Sequence, residues 1–162
     1  MNAGGSQLVD TAPSNHASAV LVGARAVLIR GPSGSGKSRL VLALLQAASD
    51  GRLAFARLVS DDRTRLHAAN GRLLALPVPE LAGLIEERGT GIRQLPYEPA
   101  AVVSLVIDFG TDPARLPETN DQTIVIEGIA LPRLAVAAGS DPLQQVLSEI
   151  ARESLHRNSP ST

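Results

Sequence analysis

The chain has 162 residues, enough for one domain with a real core, and that core must be aliphatic because hydrophobic residues make up 44% of the sequence and aromatics only 2%. With no cysteine, disulfides, thiolate catalysis and cysteine-type zinc sites are excluded. A formal net charge of -1 and a pI of about 6.3 argue against nucleic acid or an anionic membrane surface as a general partner, so any ligand has to be recognised locally.

Residues 1–14 are small and polar and read as a flexible lead-in, lacking the basic start and apolar centre of a signal peptide. No apolar run approaches the roughly 18 residues of a membrane span, so the chain is expected to be soluble and cytoplasmic. His16 to Val22 reads as a first strand, and Gly23-Ala24-Arg25 as the tight turn of a hairpin into Ala26-Val27-Leu28-Ile29, a short apolar run that fits a buried parallel strand.

Next comes Gly31-Pro32-Ser33-Gly34-Ser35-Gly36-Lys37-Ser38, of the form G-x-x-x-x-G-K-S/T. Glycines there let the backbone curl so that successive N–H groups point inward as an anion-binding nest. Lys37 is placed to reach the β- and γ-phosphates of a nucleoside triphosphate as a point charge, and the Ser38 hydroxyl to bind Mg²⁺, a hard cation that takes oxygen ligands. Such a string needs a strand before it and a helix after it, and Arg39 to Ala48 is rich in helix formers. The helix N-terminus would add its partial positive charge to a phosphate site.

Asp50-Gly51 stops that helix, and Leu53 to Val59 reads as a strand ending in Ser60-Asp61-Asp62. Asn70-Gly71 marks a type I′ turn between Thr64–Ala68 and Arg72–Leu76. Pro77-Val78-Pro79-Glu80 opens a short helical stretch to about Leu84, followed by Ile85 to Ile92, where Gly89 and Gly91 imply a backbone that bends or comes close to something. Ala101 to Asp108 is the most strand-like run, Thr123–Ile126 and Ile129–Leu131 are further strand candidates, and Leu143, Val146, Leu147 and Ile150 give helical period from Asp141 to about His156. Residues 157–162 read as a frayed tail, leaving 15–156 as the folded domain. His16, His67 and His156 show no metal-ligand spacing.

A nucleotide site with Mg²⁺ calls for an acidic group near the metal, usually at the end of an apolar strand. The run VVSLVID favours Asp108 on spacing alone; Asp61-Asp62 is the rival, and two adjacent carboxylates beside a phosphate site would push one of them toward accepting a proton. Pattern leaves the choice open.

Four features in order resemble the catalytic domain of the HPr kinase/phosphorylase family: His16-Ala17-Ser18 standing 21 residues before Lys37, the glycine-rich loop, the strand ending Val59-Ser60-Asp61-Asp62, and Ile85-Glu86-Glu87-Arg88-Gly89-Thr90-Gly91-Ile92, which is similar to the family signature L-E-I-R-G-L-G-I. The resemblance implies an α/β fold, a P-loop nucleotide-binding domain with a mixed β-sheet, added hairpins and few helices, the PEP carboxykinase-like variant. It implies the short form of the family, the catalytic domain alone. It also implies ATP and Mg²⁺ as cofactors, the phosphocarrier protein HPr as partner, and a homo-oligomer, a hexamer.

Carried over by position, the resemblance implies that Lys37 grips the phosphates, that Ser38 and Glu86 serve Mg²⁺, and that Asp62 takes the proton from the attacking serine hydroxyl, with Asp61 beside it and their roles not separated. His16 becomes an active-site residue, and Arg133 corresponds to the family's active-site arginine. The late basic motif V-R-P-G-R-N is reduced to Leu131-Pro132-Arg133-Leu134, which leaves the phosphorolytic half of the activity open. Arg88 is either a substrate-phosphate contact or an ion-pair partner for Glu86 or Glu87. Two other functions stay in play: a small-molecule kinase or ATPase, for which no cluster of basic residues is visible, and a nucleotide-operated regulatory module without a substrate of its own.

Overall fold

The computed structural model describes residues 14–110 and 122–158. Two short pieces, β1 (Ser14–Asn15) and β2 (Ala17–Val22), lead into β3 (Arg25–Arg30) through a two-residue turn at Gly23 and Ala24, and β2 and β3 pair antiparallel from Ala17–Arg30 to Val22–Arg25. The expected helix follows as α1 (Lys37–Ser49), and β4 (Ala56–Ser60) returns alongside β2. That strand begins later than Leu53 because the chain first wraps the helix end, with the Arg52 and Leu53 N–H groups both donating to the Ala47 carbonyl. Strands β5 (Thr64–Ala69) and β6 (Arg72–Pro77) form the hairpin marked by Asn70-Gly71, and both turn residues have positive φ, 54° and 74°, as a type I′ turn requires.

The helical stretch expected from Glu80 to Leu84 is instead a single 3₁₀ turn over Pro79–Leu81, followed by β7 (Leu84–Glu87) and β8 (Gly91–Gln94). Gly83 is the reason: its φ is 78°, and a Cβ there would sit 2.8 Å from the Leu95 carbonyl oxygen, so the chain cannot continue as helix and no other residue fits. Gly89 and Gly91, with φ of 86° and 88°, form the bend of the β7–β8 hairpin, and since a Cβ at either would meet nothing within 4 Å they serve the turn rather than a close approach.

Strand β9 (Ala101–Phe109) is the spine. It pairs parallel with β3 and with β11 (Ile129–Val136), and its first residues pair antiparallel with β6, so the mixed sheet divides and curls around it. The outer strand β10 (Thr123–Ile126) pairs with β11 through a tight turn at Glu127 and Gly128. The final helix α2 (Leu143–Asn158) runs two residues past the expected end, so residues 157 and 158 are helical; the rest of the expected tail and residues 1–13 of the lead-in lie outside the described residues. None of the described helices is long and apolar enough to cross a membrane.

Successive residues of β3 point to opposite faces, and both faces are buried. Val27 and Ile29 pack with Leu105, Ile107, Leu40, Val41, Leu44 and Val146 on the helix side. Ala26 and Leu28 pack with Ala19, Val59, Leu73 and Val106 on the other. A strand covered on both faces reads as an unbroken apolar run, which is why β3 and β9 stand out in the sequence. Truncating Leu44, fully buried where α1 meets the sheet, is worth about 2–5 kcal/mol. The result is a rigid platform whose β3 end delivers the glycine-rich loop to the start of α1.

Candidate functional site: a glycine-rich loop and the Asp61-Asp62 corner

The loop between β3 and α1 is tightly curled. Gly31 (φ 153°) and Gly36 (φ 120°) both lie against Phe109, the last residue of β9; a Cβ on Gly31 would come within 2.7 Å of the Phe109 Cβ and of the Ser35 Oγ. Ser35 N–H bonds to the Pro32 carbonyl (3.1 Å), and the Gly139 N–H to the Ser35 carbonyl (3.0 Å), so the segment after β11 holds the loop from outside. Lys37 is 5% exposed and its Nζ donates to the carbonyls of Gly31 (2.8 Å) and Pro32 (3.1 Å).

Helix α1 starts with no side-chain cap and no acidic residue in its first turn. Its first N–H groups therefore have no intrahelical partner, the condition under which a helix start takes an anion. Ser35 Oγ is buried and is the one fully buried side-chain polar atom without a hydrogen-bond partner among the described residues. An orphaned hydroxyl and uncapped N–H groups inside a curled glycine loop fit phosphate oxygens.

Ser38 joins the loop to the Asp61-Asp62 corner. Its Oγ donates to the Asp61 carboxylate, 2.9 Å from Oδ1 and 3.0 Å from Oδ2. Ser18, fully buried on β2, donates from its Oγ to Asp61 Oδ1 (2.8 Å) and accepts from the Asp62 backbone N–H (2.9 Å). Below them Ser60 and Thr64 share a hydroxyl hydrogen bond, and Thr64 Oγ1 donates to the Ala17 carbonyl (2.7 Å). Asp62 has φ 66° and is the middle of a three-residue turn closed by the Arg63 N–H on the Asp61 carbonyl (2.8 Å), a rare and strained backbone form of the kind found at functional sites. Its carboxylate faces outward, 3.4 Å from His16 Nε2, with both side chains about half exposed.

Burial pushes the Asp61 carboxyl above its ordinary value; the Ser18 and Ser38 hydrogen bonds pull it down, the Asp62 charge adds to the rise, and the Glu86 backbone N–H pulls it down again. That N–H brings β7 to the same corner, while the Glu86 side chain is exposed. No basic side chain pairs with Asp61 among the described residues. A buried carboxylate with hydroxyls for neighbours and no cation is a donor set suited to a hard divalent ion completed by phosphate oxygens and water. No group of three or more His, Asp and Glu that could hold a metal by itself exists among the described residues.

The alternative carboxylate has a different fate. Asp108 sits on the face of Leu28 and Val106, away from the helices, where Arg30 forms a two-pronged bond to it (Nε–Oδ1 2.8 Å, Nη2–Oδ2 2.9 Å) and Arg133 Nε donates to Oδ2. Burial pushes Asp108 up, but Arg30 and Arg133 together outweigh it and hold the carboxyl below its ordinary value. The strand-end pattern that favoured Asp108 therefore marks an ion-pair cluster, and Arg133 is tied into that cluster rather than to Ser38, Asp61 or Asp62. An arginine ending one parallel strand and an aspartate ending its neighbour was the available signal. Ser18 went unassigned because nothing local distinguishes one serine in a strand. Of the two readings of Arg88, an ion pair with Glu86 or Glu87 is not seen among the described residues, and Glu87 pairs instead with Arg93 at 2.8 Å.

No protein-family model and no curated protein matches the chain. Among solved structures, the Hpr(Ser) kinase/phosphatase from Coxiella burnetii is similar to it with a TM-score of 0.72 and 25% sequence identity, over 90% of this chain and 99% of that one. The described architecture is thus that of an HPr kinase-like catalytic domain, a mixed curled sheet with few helices.

Proposed function

We propose that this HPr kinase-like domain is an ATP-dependent serine kinase that phosphorylates the phosphocarrier protein HPr, as the name of its Coxiella burnetii structural neighbour describes for that protein. One observation carries the reading: the loop serine, the buried Asp61 and the outward, strained Asp62 stand in a single hydrogen-bonded chain through Ser38 and Ser18.

In this reading the two aspartates have different roles. Asp61 is 9% exposed behind two serine hydroxyls and lies out of reach of a protein substrate. Asp61 would serve the metal side, orienting the Ser38 hydroxyl and supplying negative charge beside Mg²⁺, with Glu86 contributing from β7. Mg²⁺ held there would neutralise charge on the transferring phosphoryl group. Asp62, with a side chain 54% exposed at the mouth, accepts the proton of the HPr serine hydroxyl as its oxygen attacks the γ-phosphorus and ADP departs. His16 steadies the Asp62 carboxylate, and Lys37 leaves the loop carbonyls for the β- and γ-phosphates. Arg133 receives no step.

Transfer of labelled γ-phosphate from ATP to HPr tests this, with HPr carrying alanine at its target serine as control. Asp62→Asn should lower transfer by roughly 10²–10⁴-fold, the span of a positioned general base, with nucleotide still bound. No transfer by a wild-type chain that binds nucleotide would sink the HPr reading and favour an ATPase, a small-molecule kinase or a regulatory module.

A further inference from the structure

We infer that Ser18 is a positioning residue for the reaction, holding the metal-side carboxylate and the proton-accepting carboxylate in register through one hydroxyl. The inference rests on the kinase reading for its catalytic consequence, while its structural half stands on the geometry of β2 and β4 alone.

A serine hydroxyl has one proton and two acceptor lone pairs. At Ser18 the proton goes to Asp61 Oδ1 at 2.8 Å and a lone pair receives the Asp62 N–H at 2.9 Å, so consecutive residues are fixed by their side chain and their backbone through the same atom. Ser18 is 0% exposed, which leaves no route for bulk water to replace it. It lies opposite Ile29 on the helix-facing side of β2, at the end where the β2–β4 ladder has passed an irregularity between Ala19 and Val20. The irregularity lets β4 carry Asp61 past the ladder to meet both Ser18 and Ser38.

Asp62 gives this arrangement its consequence. A non-glycine residue at φ 66°, in a turn closed over only three residues, persists only when its surroundings over-determine it. The two bonds that do so are the Arg63 N–H on the Asp61 carbonyl and the Asp62 N–H on Ser18 Oγ. The first is internal to the turn, and Ser60 and Thr64 hold its two ends, so the Ser18 bond is what ties the Asp62 backbone itself to the sheet. Without it the Asp62 carboxylate can drift from the line of attack while the glycine-rich loop, which Ser18 does not touch, still binds nucleotide. Misplacement of a reacting group by about 1 Å costs on the order of 10²-fold in rate.

The test uses Ser18→Ala, which removes the hydroxyl; Ser18→Cys, which fills its space with a weak donor and acceptor; and Ser18→Thr, which restores the hydroxyl. Amide hydrogen exchange, needing no substrate, should show the Asp62 N–H exchanging at least about tenfold faster in the Ala and Cys variants while the β2–β4 ladder amides keep their protection, with Thr returning it toward wild type. In HPr phosphorylation, Ala and Cys should lower kcat by about 10–100-fold with KM for ATP within about twofold, and Thr should recover most of the rate. Unchanged exchange at Asp62, loss of ladder protection in step with it, an unchanged kcat, or a Thr variant with native ladder protection and no recovery would each overturn the inference. A wild-type chain that transfers nothing to HPr but loses Asp62 protection on Ser18→Ala would sink the kinase reading and leave the positioning role in place.

Discussion

Asp61 and Asp108 are buried alike, at 9% and 5% exposure, and both stand at the ends of strands beside the same glycine-rich loop. Their neighbours make them different groups. Asp108 meets two guanidiniums, which overcome the penalty of burial and keep it charged. Asp61 meets two hydroxyls and a backbone N–H, which do not overcome it, and its carboxyl is pushed up. A buried carboxylate with its counter-charge built in stabilises the fold; one without it is a place where an arriving cation gains most.

Exchanging each carboxylate for its amide breaks this comparison in opposite directions. Asp108→Asn leaves Arg30 and Arg133 facing a neutral group, and unfolding in urea should show a loss of about 2–4 kcal/mol, somewhat below the cost of breaking a fully buried pair because the Arg30 side chain is 32% exposed. Nucleotide affinity at fixed Mg²⁺ should hold wherever the variant is folded. If Asp108→Asn is as stable as wild type, the cluster is no stabilising device and the contrast fails.

Asp61→Asn should do the reverse. Removing a charge that has no cationic partner leaves stability unchanged or slightly higher without metal, while the gain in ATP-analogue affinity on adding Mg²⁺ falls by about 10–100-fold, the range for a group that orients a metal ligand. Titration calorimetry with and without chelator reads this directly. An undiminished Mg²⁺ effect would remove Asp61 from the metal side. Gly31→Ala sharpens the same point from the loop: its Cβ would overlap Phe109 and Ser35, so nucleotide affinity should fall by about tenfold or more with Asp61 untouched.

The sequence shows one half of this contrast better than the other. The loop is legible because its chemistry is local: Gly, Lys and Ser within eight positions, with β3 before and α1 after. Asn70-Gly71 and β9 are legible for the same reason, since turn angles and two-sided burial act over a few residues. The fate of each aspartate was not, because it depends on partners 43 positions away for Ser18–Asp61 and 78 for Arg30–Asp108, brought together by strand order and register. An apolar run ending in Asp looks identical whether the fold brings arginines or serine hydroxyls to its carboxylate. The lost helix at Glu80–Leu84 failed similarly: the close approach of Leu95 to Gly83, twelve residues on, decided it.

The finest probe of the contrast is pH, with metal chelated so that only the protein's own groups titrate. Asp61 has a folded-state value above its unfolded one, so its charge opposes folding at neutral pH, and that opposition fades as pH falls through the raised value toward about 4. Asp108 has a folded-state value below its unfolded one, so its stabilisation is complete above about 4 and is lost only as pH drops through the depressed value. The melting temperature of wild type relative to Asp61→Asn should therefore rise as pH is lowered from 7 to 4, and relative to an Asp108→Asn variant should stay level over that range and fall below it. Opposite slopes over separate pH windows follow only if one carboxylate carries its counter-charge within the fold and the other waits for it from solution; parallel curves would mean that the hydroxyls of Ser18 and Ser38 already do for Asp61 what the arginines do for Asp108.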